Sequence, residues 1–190
     1  TRVAITAGVR VAVAHCIGTE QQNSGASGVW GFVDYLRALS PTTQSWPKLE
    51  DLERKQVWDG DPLLSEAAET LRRAGLVVLI GGKGSGKTAV ARQLAYRAYT
   101  AGARPTHWDF EQQGVQLPAS PVEFLRGAIA AARLEDADPA LVLDNVHLNQ
   151  ETFCAVLSAR NALLGRRGER VPLVATSRAR LADVTSEHLA

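Results

Sequence analysis

The sequence predicts an α/β fold of three layers, in which a mainly parallel sheet carries helices on both of its faces. From about residue 61 onwards, short apolar segments alternate with longer segments of helical pattern. This order is typical of parallel sheets, whose strands are joined by crossover helices. The first apolar segment, LVVLI at residues 76–80, is uninterrupted by polar residues, as expected of a strand that is buried on both faces.

The predicted strands and helices follow one another regularly in this part of the chain. Capping residues support the helices, most clearly at Ser120, which is followed by Pro121 at the first helical position and Glu123 at the capping-box position. The predicted strands are residues 76–80, 105–110, 140–143 and 171–175, and the predicted helices are residues 62–74, 87–100, 120–134 and 150–164.

The N-terminal part of the chain has a weaker pattern. The segment VRVAV at residues 9–13 alternates as a strand does, and residues 29–38 have the pattern of a short helix. Polar connectors follow both pieces. We therefore expect two regions: residues 1–45, a hairpin and linker or the end of a preceding module, and residues 46–190, the α/β core.

Composition and charge exclude several classes of protein. The 190 residues include 21 Lys and Arg against 20 Asp and Glu, and 45% of the residues are hydrophobic, which is ordinary for a globular protein. The balanced charge does not indicate a nucleic-acid partner, and no apolar run approaches the roughly 18 residues of a membrane span. Two isolated cysteines without a secretory signal favour a cytoplasmic location. Because the chain lacks Met and begins with Thr, we expect a piece of a longer protein.

The segment GGKGSGKT at residues 81–88 carries the chemistry. It fits the P-loop pattern G-x-x-x-x-G-K-[ST] at every position, and it lies between a predicted buried strand and a predicted helix, as that pattern requires. Loop N–H groups and the helix N-terminus are expected to surround a phosphate. Lys87 is expected to face the β- and γ-phosphates, and Thr88 to ligate Mg²⁺. The predicted nucleotide contacts are Gly81, Gly82, Lys83, Gly84, Ser85, Gly86, Lys87, Thr88 and Ala89.

A second acidic position is expected to complete the magnesium site. The segment ALVLDNVH ends a predicted buried strand with Asp144, which can hold Mg²⁺ through water. Asn145 follows where many P-loop ATPases carry a Glu that orients the attacking water, and an amide is no effective base. Turnover is therefore expected to be slow unless another carboxylate serves. Glu111 is the best candidate by position, and His147 could also face the site.

The end of the last predicted strand, VPLVATSR, supplies further polar groups. If this strand lies beside the strand that precedes the P-loop, it brings Thr176, Ser177 and Arg178 near the γ-phosphate. Arg178 is then the residue expected to sense that phosphate. The alternative is an ordinary strand exit with capping hydroxyl groups.

Together these segments resemble the STAND class of P-loop ATPases, which are relatives of the AAA+ proteins and act as signal-transduction switches with NACHT- or NB-ARC-like cores. The resemblance rests on VVLIGGKGSGKTAVARQLAYR, LDNVHL and ATSR and covers roughly residues 55–185. It implies a P-loop NTPase core in which TSR is the sensor-1 motif. It also implies a helical lid and a winged-helix domain beyond the core, so we expect the chain to be truncated before the lid. Trp58 could stack on the base, with core packing as the alternative.

The expected function is a regulatory switch that binds ATP (or ADP) with Mg²⁺ and hydrolyses ATP slowly. Lys87 would stabilise charge, Thr88 and Asp144 would hold Mg²⁺, and Arg178 would sense the γ-phosphate. The expected partners are the nucleotide, flanking domains of the same polypeptide and, in a homo-oligomer, further copies of the chain. No N-K-x-D segment is present, which favours ATP over GTP. The alternatives are a nucleotide-binding oligomerisation module without turnover, which Asn145 favours, and a small-molecule kinase.

Overall fold

A computed structural model of the chain describes residues 4–5, 30–38, 47–54, 62–111, 120–167, 171–178 and 181. Its elements are β1 (Ala4–Ile5), β2 (Trp30–Gly31), α1 (Phe32–Ala38), α2 (Leu49–Glu53), α3 (Pro62–Ala74), β3 (Leu76–Ile80), α4 (Lys87–Thr100), β4 (Ala103–Asp109), α5 (Pro121–Leu134), β5 (Asp138–Asp144), α6 (Gln150–Arg167) and β6 (Leu173–Ser177), with a 3₁₀ turn at Val146–Leu148.

Within these residues the strands form a six-stranded sheet in the order β1-β3-β6-β5-β4-β2. The four inner strands β3, β6, β5 and β4 are parallel, and the two-residue strands β1 and β2 pair antiparallel at the two edges. The predicted parallel sheet is therefore confirmed. Because β6 lies between β3 and β5, the carboxyl ends of all three strands meet at one edge of the sheet.

Helices cover both faces of this sheet. The crossover from β3 through α4 to β4 runs along the sheet in one direction, and the crossovers through α5 and α6 run back in the other direction. Since parallel crossovers are right-handed, α4 lies on one face and α5 and α6 lie on the other. The contacts of α3 with α4, and of α5 with α6, agree with this arrangement. The predicted three-layer α/β/α fold is confirmed.

The core forms where the strands are apolar on both sides. Leu141 and Leu173 are fully buried on the adjacent strands β5 and β6. The ring of Trp108 stacks on Phe110 with centroids 4.6 Å apart and packs against Phe124 of α5 at 5.0 Å. This aromatic cluster anchors the end of β4, which is one of the strand ends that form the site.

Several element boundaries differ from the sequence-based expectation. The strand predicted at residues 140–143 extends over Asp138–Asp144, and the strand predicted at residues 171–175 runs instead over Leu173–Ser177. The physical reason is that ladder hydrogen bonds are made by the main chain, so that polar residues at strand ends continue the pairing. The helix predicted at 150–164 likewise continues to Arg167.

The N-terminal expectations are met in part. In the segment predicted as helix 29–38, Trp30 and Gly31 form β2 beside β4, and the helix begins at Phe32. The predicted strand at residues 9–13 lies outside the described residues, and the division at residue 45 stays a prediction. Within the described part of the chain, no helix is both long enough and apolar enough to cross a bilayer.

Candidate functional site

The glycine-rich loop lies between β3 and α4. Gly81 N donates to Ser177 O at 3.2 Å, which ties the start of the loop to β6. Gly84 and Gly86 have φ angles of 76° and 86°, in the left-handed region that glycine adopts without strain. The helix begins at Lys87, and the N–H groups of its first turn have no acceptor within the helix. The loop therefore presents main-chain donors at a helix N-terminus, which is a favourable environment for an anion.

Lys87 extends back over this loop. Its Nζ donates to Gly82 O at 2.7 Å and to Ser85 Oγ at 3.2 Å, and the residue is buried. Burial lowers the pKa of Lys87, while the negative charge of Asp144 raises it and the positive charge of Arg178 lowers it. The ammonium group is thus held at the centre of the loop by neutral oxygens that phosphate oxygens can replace.

Asp144 ends β5 as a carboxylate that is 3% exposed. Its Oδ1 accepts hydrogen bonds from Thr88 Oγ1 at 3.3 Å, from Asn145 N at 3.2 Å and from Thr176 Oγ1. Burial raises the pKa of Asp144, the charge of Asp109 raises it further, and the two hydroxyl donors lower it. The carboxylate therefore joins the first turn of α4 to the ends of β5 and β6.

The oxygens of Thr88 and Asp144 fit a hard divalent cation. Mg²⁺ prefers oxygen ligands, keeps several waters, and is usually held by one or two protein groups together with phosphate oxygens. Among the described residues, no three His, Cys, Asp or Glu side chains are grouped so that they could hold a metal ion. A cation at Thr88 and Asp144 would therefore need additional oxygens from a ligand, as a nucleotide supplies them.

Arg178, directly after β6, lies among the other polar residues that the sequence singles out. Its Nη2 donates to Glu111 Oε1 at 2.9 Å and to Oε2 at 2.8 Å, and its N–H donates to His147 Nδ1 at 3.3 Å. Burial and the charges of Arg178 and Lys87 lower the pKa of His147, and Glu111 raises it. Glu111, His147 and Arg178 thus lie together, with the guanidinium engaged by Glu111.

Asp109 belongs to this edge of the sheet, although the sequence alone does not single it out. It ends β4 in register with Asp144, and its Oδ1 accepts from Asn145 Nδ2 at 2.9 Å and from Glu111 N at 2.9 Å. A carboxylate at a strand end was the available signal, because the carboxyl ends of adjacent parallel strands share one edge. The predicted strand 105–110 ended one residue too late and placed Asp109 inside it.

The remaining predicted site residues have different surroundings. Gly82 and Lys83 are exposed, and Ala89 is buried in α4. Ser177 is fully buried at the end of β6. Trp58, the residue suggested to stack on a base, lies outside the described residues.

Part of the chain is similar to a known family, and its fold is similar to that of a solved structure. Residues 61–119 match the family Novel STAND NTPase 3, and no curated protein matches the sequence. The fold is similar to a solved structure of C. elegans PCH-2, an AAA+ ATPase, with a TM-score of 0.50 and 16% identity over 86% of this chain and 46% of that chain. The chain thus spans less than half the length of that structure. Residues 61–119 are thus similar to a family of STAND NTPases, and the likeness to PCH-2 concerns the fold.

Proposed function

We propose that the chain binds ATP (or ADP) with Mg²⁺ as a regulatory switch and hydrolyses ATP slowly. One observation carries the proposal: Lys87, Thr88 and Asp144 meet where a glycine-rich loop opens α4 at the carboxyl edge of β3, β6 and β5. Charged, hydroxyl and main-chain donors converge there beside a buried carboxylate. This is the combination that a nucleoside triphosphate with a divalent cation requires.

Lys87 would contact the phosphates, and Thr88 and Asp144 would hold the metal ion. The ammonium group of Lys87 would exchange Gly82 O and Ser85 Oγ for oxygens of the β- and γ-phosphates. Thr88 Oγ1 would ligate Mg²⁺ directly, and Asp144 would hold it through water. When bound, Mg²⁺ would neutralise charge on the phosphate oxygens.

The switch function would use Arg178. In the structure its guanidinium lies against Glu111, and a γ-phosphate would compete with that carboxylate for it. The nucleotide state would then change the packing of segments that follow β6, and through them flanking domains or further copies of the chain. The proposal includes a cytoplasmic location and a core over residues 46–190, with residues 1–45 as a linker or the end of a preceding module.

Nucleotide binding and phosphate release test the proposal together. A fluorescent ATP analogue is titrated into the purified chain with Mg²⁺ or EDTA, and phosphate release is followed with ATP. Lys87→Ala is expected to weaken binding and abolish release, while Arg126→Ala, which removes an exposed cation on α5, changes neither. Equal phosphate release from the natural chain and Lys87→Ala would refute ATP hydrolysis at this site.

A second candidate is a module that holds nucleotide for oligomerisation without turnover. Asn145 favours it, because an amide cannot accept the proton of the attacking water. Tight, Lys87-dependent nucleotide binding with no phosphate release from the natural chain would decide for this candidate. An ATP consumption that requires an added acceptor would instead indicate a kinase.

A further inference from the structure

Asp109 and Asn145 form a pair at the carboxyl edge of the sheet. Asn145 has φ 58° and ψ 37°, a left-handed conformation that is uncommon outside glycine and more frequent for Asn. From this position Asn145 Nδ2 donates to Asp109 Oδ1, at the end of the adjacent strand β4, at 2.9 Å. The amide that follows Asp144 is therefore committed to holding a neighbouring carboxylate.

Two carboxylates, Asp109 and Glu111, lie near Asn145, and their hydrogen bonds and exposure differ. Both oxygens of Glu111 accept from Arg178 Nη2, and the Glu111 side chain is 53% exposed. Asp109 accepts its bonds from Asn145 Nδ2 and Glu111 N on the single oxygen Oδ1, so Oδ2 lies outside these two bonds. Asp109 also ends its strand directly beside Asp144, whereas Glu111 lies two residues beyond it.

We propose that Asp109 is the catalytic base of ATP hydrolysis and that Asn145 is the residue that positions it. This inference rests on the proposed function. The oxygen of a water molecule forms a bond to the γ-phosphorus, and the bond from that phosphorus to the β–γ bridging oxygen breaks. The electron pair of the broken bond leaves with ADP, and a proton of the water passes to Asp109 Oδ2 and then to solvent.

The pair explains how a chain with Asn after Asp144 can still hydrolyse ATP. In this chain the amide follows β5 and the carboxylate ends β4. A hydrogen bond between an amide and a carboxylate can form with either group on either strand. The Thr88–Asp144 contact does not involve this pair. An exchange of the two side chains is therefore a direct test.

The test compares phosphate release and binding of a fluorescent ATP analogue for the natural chain and three variants. Asp109→Asn keeps an acceptor for Asn145 Nδ2, and we expect it to bind the analogue as the natural chain does. Its phosphate release should be slower by a factor of at least about 100, since a general base contributes about 10²–10⁴ in rate. Asn145→Asp combined with Asp109→Asn returns a carboxylate to the pair and is expected to recover at least about tenfold of that loss. Asp138→Asn, at the exposed opposite end of β5, is the matched control.

The outcomes separate this inference from the proposed function. Release that depends on Lys87 but is unchanged in Asp109→Asn would overturn the role of Asp109 and leave the proposed ATPase intact. Absence of Lys87-dependent release from the natural chain would overturn both. A double variant as slow as Asp109→Asn, with its binding preserved, would overturn the positioning role of Asn145.

Discussion

The Asp144→Asn substitution is expected to stabilise the nucleotide-free protein at neutral pH while it removes magnesium-dependent nucleotide binding. Asp144 is 3% exposed, and burial raises the pKa of its carboxyl group above the ordinary 3.8. A carboxyl group whose pKa is higher in the folded chain binds more protons when folded, so the stability it contributes falls as pH rises between the unfolded and folded pKa values. At neutral pH the folded chain therefore carries an unfavourable charge, which the neutral amide removes.

The magnitude follows from two opposing effects at Asp144. Hydrogen bonds to a charged acceptor contribute about 1.5–3 kcal/mol against about 0.5–1.5 kcal/mol for a neutral one. The bonds from Thr88 Oγ1, Asn145 N and Thr176 Oγ1 would therefore weaken by about 3 kcal/mol in total. Removing a charge from water costs several kcal/mol per buried ion, and the raised pKa of Asp144 means that burial is the larger effect. We expect a net stabilisation of about 1 kcal/mol, or about 2–4 °C in Tm for a domain of this size.

The assay is thermal unfolding in EDTA at neutral pH, repeated at lower pH and with Mg²⁺ and ATP. The excess stability of Asp144→Asn should shrink as the pH falls towards about 4, because the natural carboxyl group is then protonated when folded. Mg²⁺ with ATP should raise the Tm of the natural chain but not that of the variant. Asp138→Asn, which changes an exposed residue on the same strand, should have neither effect. A lower Tm for Asp144→Asn than for the natural chain in EDTA would refute the reasoning.

Three further outcomes are expected. Gly84→Ala, at φ 76°, should lower the unfolding free energy by about 1–2 kcal/mol in urea denaturation. Gly82→Ala in the same loop, where a Cβ has open space, should leave the unfolding free energy unchanged; equal losses would contradict the conformational argument. Glu111→Gln weakens the hold on Arg178 and should increase the ATP:ADP affinity ratio by about two- to fivefold, the size of an exposed ion pair; calorimetric titration with an unchanged ratio would contradict competition for the guanidinium. Trp108→Ala, at a site that is 1% exposed, should cost about 3–5 kcal/mol in urea denaturation, and a loss below about 1 kcal/mol would mean that the aromatic cluster does not support β4.

The parallel core could be predicted because its determinants are local in sequence. The apolar run of β3 indicates a strand buried on both faces, and the Ser120 cap of α5 is present as predicted, with its Oγ accepting from Glu123 N at 3.1 Å. Edge strand β2 could not be predicted, because two residues carry no periodicity and Trp30 pairs with His107 only once β4 is in place. Strand ends shifted by one or two residues for the related reason that main-chain pairing does not depend on side-chain polarity.

The site, like the fold, could be predicted from the sequence only in part. The loop that ends in Lys87 and Thr88 is contiguous, so its residues and their order indicate phosphate binding before any tertiary contact is known. The Asp109–Asn145 contact depends on β4 and β5 being neighbours and on the left-handed backbone of Asn145, which turns its amide towards β4. Neither condition can be recognised from a local sequence pattern. The ion pair between Glu111 and Arg178 likewise depends on how distant segments of the chain pack.

The carboxyl edge of the sheet concentrates groups that oppose the stability of the folded chain. Burial raises the pKa of Asp144 and lowers the pKa of Lys87, so each charge is less favourable there than in water. A divalent cation beside Asp144 and a phosphate beside Lys87 would each reverse that effect, because an opposite charge nearby favours the ionised form. Thr88 connects the two, since it follows Lys87 in the first turn of α4 and donates to Asp144. Nucleotide and Mg²⁺ are therefore expected to bind cooperatively, and each should raise the affinity for the other by the same factor.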